Sequence, residues 1–507
     1  MQPHVPAVPA PQPFAPDLLR LRAANSPHTV PLLIDGAPGL TYQEWDLRSN
    51  AVAHGLLAKG VRRGDRVALF FAGMDWSDYA VAYLAVLKAG GVAVHLNDEL
   101  PSEELRRRLG HAAASGMIHS RMLVPPGDFV GWTGTVDQFD IGDEAPVAVR
   151  LDADDIADLL YTSGTTGPAK PFLNPHGNLA FGRGLGEVAK ASFDPGSPLL
   201  MPMPLGTSSS AGTVGIFALT TTAPIVVCPA EDVERVAELI ERMRIGSVML
   251  TPWLGARMVA SRVDRRYDLS SVTTIGVASG ALPAPAGRAL LTLMPKARIR
   301  TAYGGGSEAV PANISNVWDP DRPNCLGRPS AATELLVVDE NDVPVPPGVV
   351  GEVWLRTAAP RRRYLDDRLT EQIHVDGWVR TRDLGYLGPD GELYFFDRGS
   401  DAIHTPQGLV SSLAVEAALY EHPDVREAAV VGVGDPRGGQ AIHAVVVLAA
   451  SELGEPDLGG FAAARLRPHE VPAAVHVVSA LPRGTSGKVL KAELRRRLAT
   501  GEGAVAG

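Results

Sequence analysis

The stretch Tyr161-Thr-Ser-Gly-Thr-Thr-Gly-Pro-Ala-Lys170 decides how the rest of the chain is read. It packs the hydroxyls of Thr162, Ser163, Thr165 and Thr166, the flexible Gly164 and Gly167, and Lys170 into one loop. Glycines let backbone N–H groups turn toward an anion, hydroxyls add donors, and a lysine supplies mobile positive charge. That chemistry suits a polyphosphate. The residues just before it, Ile156 to Leu160, read as an apolar strand feeding the loop. The spacing departs from the Walker pattern, because Ala169 stands where that motif needs glycine before its lysine, so the chain is not a P-loop NTPase. A plain Ser/Thr/Gly linker is the competing reading. Linkers rarely follow a buried strand, and Lys170 is one of only seven lysines in the chain.

Other short motifs flank the loop in a fixed order. Leu40-Thr-Tyr42, Gly64-Asp65-Arg66-Val67 and Leu87-Lys-Ala-Gly90 precede it. Val349-Val-Gly-Glu-Val353, Thr381-Arg-Asp383-Leu-Gly385 and Leu481-Pro-Arg-Gly-Thr-Ser-Gly-Lys488 follow. Together they resemble the core motifs of the adenylate-forming superfamily: acyl-CoA and aryl-CoA synthetases, peptide-synthetase adenylation domains and luciferases. The resemblance spans about residues 15 to 497.

Bulk properties fit a soluble globular enzyme. At 507 residues the chain exceeds one ordinary core, so two or more domains are expected. A net charge of −10 argues against nucleic acid or an anionic membrane as partner. Cys228 and Cys325 are the only cysteines and lack metal-ligand spacing, against a disulfide framework or structural zinc. The proline-rich start, Met1 to Pro16, has neither a basic head nor an apolar run, and no run of ~18 apolar residues follows. A cytoplasmic enzyme is the expectation.

Periodicity gives the architecture. Helical spacing from Trp45 to Lys59 and from Ser77 to Ala89 alternates with apolar runs at Arg66 to Phe71 and Val92 to Leu96. The alternation recurs from Val233 to Pro252 and from Val272 to Thr301, predicting mainly parallel α/β-layered sheets. Beyond Leu326 short strands and turns predict a twisted, more antiparallel β-region. The polar stretch Asp397-Arg-Gly-Ser-Asp401 marks a boundary. The fold class is therefore α/β: a large N-terminal domain over residues 1–397, and a small mobile α+β lid domain over 398–507. In the lid, helices are predicted at Leu413 to Tyr420, Leu458 to Leu466 and from Leu490, with strands at Ala428 to Val433 and Ala441 to Leu448.

The resemblance implies a reaction that joins a carboxylate to the α-phosphate of ATP and releases pyrophosphate. Lys488 matches the family lysine that bridges carboxylate and α-phosphate; loss of a preorganised donor of that kind costs about 10²–10³ in rate. Glu308, closing Tyr303-Gly304-Gly305-Gly306-Ser307-Glu308, matches the glutamate that helps hold Mg²⁺ on the phosphates, and one carboxylate suffices for such an ion. Asp383 matches the ribose aspartate, and Arg398 would add donors to ribose or phosphate. Ser279-Gly280-Ala281 matches a backbone segment along the adenine and the acyl pocket. Thr207, Ser208, Trp253 and Val277 are candidate lining of that pocket. Ser400 occupies the position about which the small domain turns. His176 is as suited to capping a helix as to touching ligand, and stays outside the site.

The chain also departs from the family pattern. Ala169 and Pro171 flank the loop lysine where proline and glycine are common. The tyrosine that stacks on adenine usually stands four residues before the magnesium glutamate; here that place is Gly304, with Tyr303 one residue early. The segment Pro204-Leu-Gly-Thr-Ser-Ser-Ser-Ala-Gly212 carries small residues where relatives have a histidine or a bulky gate, predicting an open or polar wall. Pro406-Gln407 replaces the Gly-Gly pair that approaches a pantetheine arm. The leading expectation is an AMP-forming ligase that adenylates a small, optionally aromatic, carboxylic acid and passes it to CoA or a carrier-protein phosphopantetheine. One alternative is transfer to an amine acceptor, or activation of nitrite for diazotisation of an aryl amine. A non-catalytic nucleotide-binding protein is the third reading, and the joint presence of Lys170, Glu308, Asp383, Arg398 and Lys488 speaks against it.

Overall fold

A computed structural model describes residues 13–162, 168–179, 181–182, 196–229, 232–277, 280–304, 308–436, 438–449, 457–484 and 488–500. Each of the early motifs has a local structural cause. In Leu40-Thr-Tyr42, Thr41 caps the helix Tyr42–Ala58 reciprocally with Glu44: the Glu44 N–H donates to Thr41 Oγ1 at 3.2 Å, and the Thr41 N–H donates to Glu44 Oε2 at 2.9 Å. Gly64, at φ +86°, turns the chain into strand Arg66–Phe71 and donates to the Gly90 carbonyl at 2.8 Å. Lys88 ends the helix Trp76–Lys88, which is buried almost all round. Its ammonium donates to Asp46 Oδ1 (2.6 Å), Asp46 O (3.0 Å), Ser49 Oγ (2.7 Å) and Asn50 Oδ1 (2.7 Å).

Two large sheets result. One has seven strands, ordered Arg363–Tyr364, Pro171–Pro175, Ile156–Tyr161, Val92–Asn97, Arg66–Phe71, Gly116–His119 and Trp132–Gly134. It is parallel except where Pro171–Pro175 returns antiparallel to Ile156–Tyr161 and then pairs with Arg363–Tyr364. The other has fourteen strands. Its parallel part runs through Ile225–Cys228, Leu199–Pro202, Ser247–Leu250, Thr274–Val277 and Arg298–Tyr303. From Ile314–Val317 onward the pairing is antiparallel, through Cys325–Pro329, Leu393–Arg398, Trp378–Leu387, Gly351–Arg356 and Glu334–Val338. The switch from parallel to antiparallel comes at Ile314–Val317, earlier in the chain than the change of texture read past Leu326. A mixed α/β architecture with a smaller α+β C-terminal part is what the periodicity predicted.

After Arg398 come the hairpin Ile403–Thr405/Gly408–Val410, the helix Ser412–Tyr420 and a three-stranded sheet. That sheet holds Val425–Gly434, Gln440–Leu448 and Ala474–Val477, and the chain's last described helix is Lys491–Thr500. Three readings need correction. Strand Ala474–Val477, parallel to Gln440–Leu448, was not foreseen, since three half-buried residues and an exposed one offer no alternation to read. Asp397, read as the start of a polar stretch, still lies within the strand Leu393–Arg398, is buried, and accepts from the Ser412 N–H (2.6 Å) and Oγ (2.8 Å). The strand before the phosphate loop is not wholly apolar, because Asp158 sits at its middle with no exposure.

Among the described residues no helix is long and apolar enough to cross a membrane. Cys228 and Cys325 are free and buried. Burial pushes the Lys88 ammonium down to about 8, against the pull of Asp46. Removing that cation strands Asp46 in a largely buried place, so Lys88→Met is expected to lower unfolding stability by about 3 kcal/mol in urea titrations. A loss below about 1 kcal/mol contradicts this role.

Candidate active site

The loops that carry the predicted site leave the carboxyl ends of neighbouring parallel strands, where open α/β sheets form their ligand crevices. Leu199–Pro202 leads to Thr207 and Ser208, Ser247–Leu250 to Trp253, and Thr274–Val277 to Gly280 and Ala281. Arg298–Tyr303 leads to Gly304 and Glu308. Register Leu200↔Val248↔Ile275↔Ile299 holds these loops side by side. Val277 is buried, Trp253 half-buried, and Ser208, Gly280 and Ala281 are exposed. Ser163, Gly164, Thr165, Thr166, Gly167, Ser279, Gly305, Gly306 and Ser307 lie outside the described residues.

The phosphate loop is the tip of a β-hairpin. Tyr161 pairs with Pro171, the Thr162 N–H donates to the Lys170 carbonyl at 3.0 Å, and the Lys170 N–H donates to Thr162 Oγ1 at 3.0 Å. Thr162 and Lys170 thus close the loop at its base. The Lys170 ammonium lies 5.9 Å from the centroid of the Tyr364 ring, and the Tyr364 hydroxyl donates to Glu308 Oε1. Tyr364 therefore joins the loop lysine to the predicted magnesium carboxylate. Nothing in the sequence singled it out: it follows three arginines, and its partner stands 56 residues earlier.

A second cluster forms on the antiparallel pair Trp378–Leu387 and Leu393–Arg398, where Asp383 is the direct partner of Arg398. The Asp383 N–H donates to Thr381 Oγ1 at 3.1 Å, and Thr381 Oγ1 donates to the Val353 carbonyl at 2.6 Å, which orients the carboxylate. The Tyr303 hydroxyl donates to Asp383 Oδ2 at 2.8 Å. Tyr303, read as one residue early for adenine stacking, spends its polar end on the aspartate, with its ring 6.1 Å from that of Phe395. Gly304 answers a packing need, since a side chain there would meet the Ala312 carbonyl.

Lys488 reaches this cluster from the far end of the sequence. The Gly484 N–H donates to the Lys488 carbonyl at 2.9 Å, and Arg483 bridges to Val489, so the lysine stands at the end of a closed turn. Burial pushes its ammonium down to about 8; the Arg398 charge acts in the same direction and Asp383 opposes both. Asp383 is shifted the other way. Burial raises its carboxyl to about 6, with the Glu308 charge adding to the rise, while the Tyr303 hydrogen bond and Arg398 pull it down. Asp383 thus lies in the fields of Arg398 and Glu308, and Lys488 in those of Arg398 and Asp383. Two opposed shifts in one cleft mark a site poised for charged ligands.

Among the described residues no three His, Cys, Asp or Glu side chains group as a metal centre. Glu308, half-buried and on the same tyrosine as Lys170, fits a hard cation that takes one carboxylate and draws its other ligands from phosphate and water. His176 begins the helix His176–Leu179, donates its N–H to the Asp155 carbonyl at 2.8 Å and packs against Phe14. Burial pushes its imidazole down to about 4, so it stays neutral. Ser400 is exposed, and its carbonyl accepts from Arg495 Nη2 at 2.7 Å. Pro406 and Gln407 form the exposed tip of the 403–410 hairpin.

A family model described as AMP-binding enzyme matches residues 19–365, and one described as AMP-binding enzyme C-terminal domain matches 414–488. A feruloyl-CoA synthase from Amycolatopsis sp is 31% identical over 494 residues, covering 94% of this chain and 97% of its own. The amide bond synthetase McbA from Marinactinospora thermotolerans superposes with a TM-score of 0.82 at 26% identity, over 96% of this chain and 99% of its own. O-succinylbenzoate coenzyme A synthetase from Bacillus subtilis, solved with AMP, gives a TM-score of 0.82 at 24% identity, over 96% and 98%, a likeness of fold.

Protonation removes the charge of Asp383 and turns one of its acceptor oxygens into a donor, and a raised carboxyl takes up its proton as pH falls through about 6. Adenosine, which has no phosphate to titrate in this range, should therefore bind progressively more weakly as pH is lowered from about 8 to about 5. Asp383→Asn should bind weakly and without that dependence. Calorimetry that finds flat affinity for the unaltered protein across the range contradicts the assignment.

Proposed function

The chain belongs to the AMP-binding enzyme family and is an AMP-forming ligase; from that premise we propose that it activates an aryl carboxylic acid with ATP and hands the acyl group to a thiol. The observation that carries this reading is the meeting of Lys488 with Asp383 and Arg398 while Lys170 and Glu308 gather at Tyr364. A carboxylate oxygen attacks the α-phosphorus, the bond to pyrophosphate breaks, and pyrophosphate leaves with its electron pair. Lys488 would stabilise the charge shared by the entering carboxylate and the α-phosphate. Asp383 and Arg398 would hold the ribose, and Thr162, Lys170 and the loop 163–167 the phosphates. Glu308 would hold magnesium, which would supply charge neutralisation for the phosphates. In the second step the acceptor sulfur attacks the acyl carbon, AMP departs, and the thiol proton goes to solvent.

The aromatic class is supported by the likeness to a feruloyl-CoA synthase and by the half-buried Trp253 beside Val277. Thr207, Ser208, Trp253 and Val277 are proposed as its pocket. CoA or a separate carrier protein is the proposed thiol. The division of the chain at 397/398 and the turning point at Ser400 belong to the same proposal, with Lys488 carried by the smaller part.

A second reading has its own support. Pro406 has no N–H to offer, and with Gln407 it forms the exposed tip of the hairpin where relatives place two glycines. That, with the likeness to an amide bond synthetase, favours an amine acceptor.

AMP and pyrophosphate release, measured over aryl and aliphatic acids with CoA, amines and nitrite varied independently, separates the readings. The proposal expects AMP turnover with an aryl acid to require CoA or a phosphopantetheine thiol. Turnover that needs an amine or nitrite instead overturns the thiol step, and ATP binding without pyrophosphate release from any acid overturns the whole reading.

A further inference from the structure

A buried polar chain lies behind the Thr207 turn, and the adenylation chemistry leaves it unexplained. Asp158 is wholly buried in the strand that feeds the phosphate loop. One of its oxygens accepts from the Tyr83 hydroxyl (2.7 Å) and faces His95 Nε2 (3.2 Å); the other accepts from Asn174 Nδ2 (3.0 Å). Burial works against its charge, but His95, Tyr83 and Asn174 together hold the carboxyl below its ordinary value. An ionised Asp158 takes the proton of His95 Nε2 in a hydrogen bond. In the tautomer that carries its proton on Nε2, His95 accepts from the Tyr79 hydroxyl at Nδ1, at 2.8 Å. Tyr79 and Tyr83 are stacked, with centroids 6.1 Å apart, on the buried helix Trp76–Lys88.

The other side of this tyrosine pair meets the segment that holds Thr207. The Tyr79 oxygen lies 3.4 Å from Ser210 Oγ. Ser210 Oγ accepts from the Thr207 N–H (3.0 Å), and its one proton is shared between the Tyr79 oxygen and the Thr207 carbonyl (2.9 Å). A side chain at Gly215 would stand 2.9 Å from the Tyr83 hydroxyl. Where the helix passes these rings it widens into a π-turn, Thr213–Phe217, a deformation common at functional sites. The start of the segment is pinned to the strand that bears His95. Asn97 Nδ2 donates to the Leu205 carbonyl at 2.6 Å, and Gly206, at φ +70°, packs so tightly that a side chain would meet the Leu96 carbonyl. Charge, hydrogen bonding and close packing converge on one short wall.

We propose that Tyr79, Tyr83, His95 and Asp158 form a brace that sets the position of Thr207 and Ser208 and thereby decides which acid the enzyme accepts. The specificity half of the proposal rests on reading the Thr207 turn as the acid pocket; the brace itself does not. These are positioning residues, acting through Ser210 and Gly215 rather than on substrate.

Tyr79→Phe removes one oxygen and no carbon, so it preserves the packed ring. In hydrogen-exchange mass spectrometry, amides of residues 204–212 should exchange about fivefold faster in Tyr79→Phe, the loss of one net hydrogen bond, while strand Ser247–Leu250 stays unchanged. In pyrophosphate exchange with ferulate as probe, KM for ferulate should rise about fivefold, with kcat and KM for ATP within about twofold. His95→Gln, which keeps a donor and an acceptor, should fall nearer the unaltered enzyme than His95→Leu. Unchanged exchange over 204–212 overturns the brace. Unchanged KM for ferulate, or an equal rise in KM for ATP, overturns its role in acid choice. Should the unaltered enzyme adenylate no acid at all, the acid pocket and the specificity role fall together, and the exchange measurement still decides whether the brace exists.

Discussion

A carboxylate and a triphosphate repel each other, and an enzyme that joins them must place a cation between them before they meet. The cation proposed for that place is Lys488, set against the Asp383–Arg398 pair from a turn about ninety residues beyond Arg398 in sequence. The arrangement has an electrostatic cost in the empty site. Burial and the neighbouring Arg398 push the ammonium down to about 8, so its charge is held against desolvation with Asp383 as its opposing partner. An arriving anion relieves that imbalance. A cation that is destabilised alone and stabilised by the charge of the reacting groups is a preorganised one.

The scaffold around it divides into parts that hold shape and parts that face the cleft. Thr41, Gly64 and Lys88, all in the early motifs that carry the family resemblance, serve the first purpose: a helix cap, a left-handed turn and a buried cation. The cleft residues come from the carboxyl ends of Leu199–Pro202, Ser247–Leu250, Thr274–Val277 and Arg298–Tyr303, and from the hairpin tip at Thr162 and Lys170. Parallel register makes these loops neighbours although they are far apart along the chain.

What could be read from sequence was what is encoded locally. The glycine-and-hydroxyl loop and the Thr-Arg-Asp383 and Gly-Lys488 motifs each carry their residues within a few positions, and the alternation of helix and strand spacing carried the architecture. Side chains whose meaning lies in distant partners were not legible. Tyr364 acquires its place only once Glu308 and Lys170 close on it. Asp158 and His95 look like flaws in apolar runs until Tyr79 and Tyr83 are folded against them. Asp397 reads as the start of a polar stretch because its partner, Ser412, arrives from beyond the boundary it was taken to mark. In each case burial turned a polar residue from a surface signal into a paired one.

The central claim is that the ammonium of Lys488 acts on the reacting charges. The most direct test is Lys488→Ala, followed by pyrophosphate exchange in parallel with calorimetric binding of AMP. The account predicts a fall in exchange of about 10²–10³ with AMP affinity altered by less than about threefold. Exchange retained within about tenfold of the unaltered enzyme, or a loss explained wholly by weaker AMP binding, contradicts it.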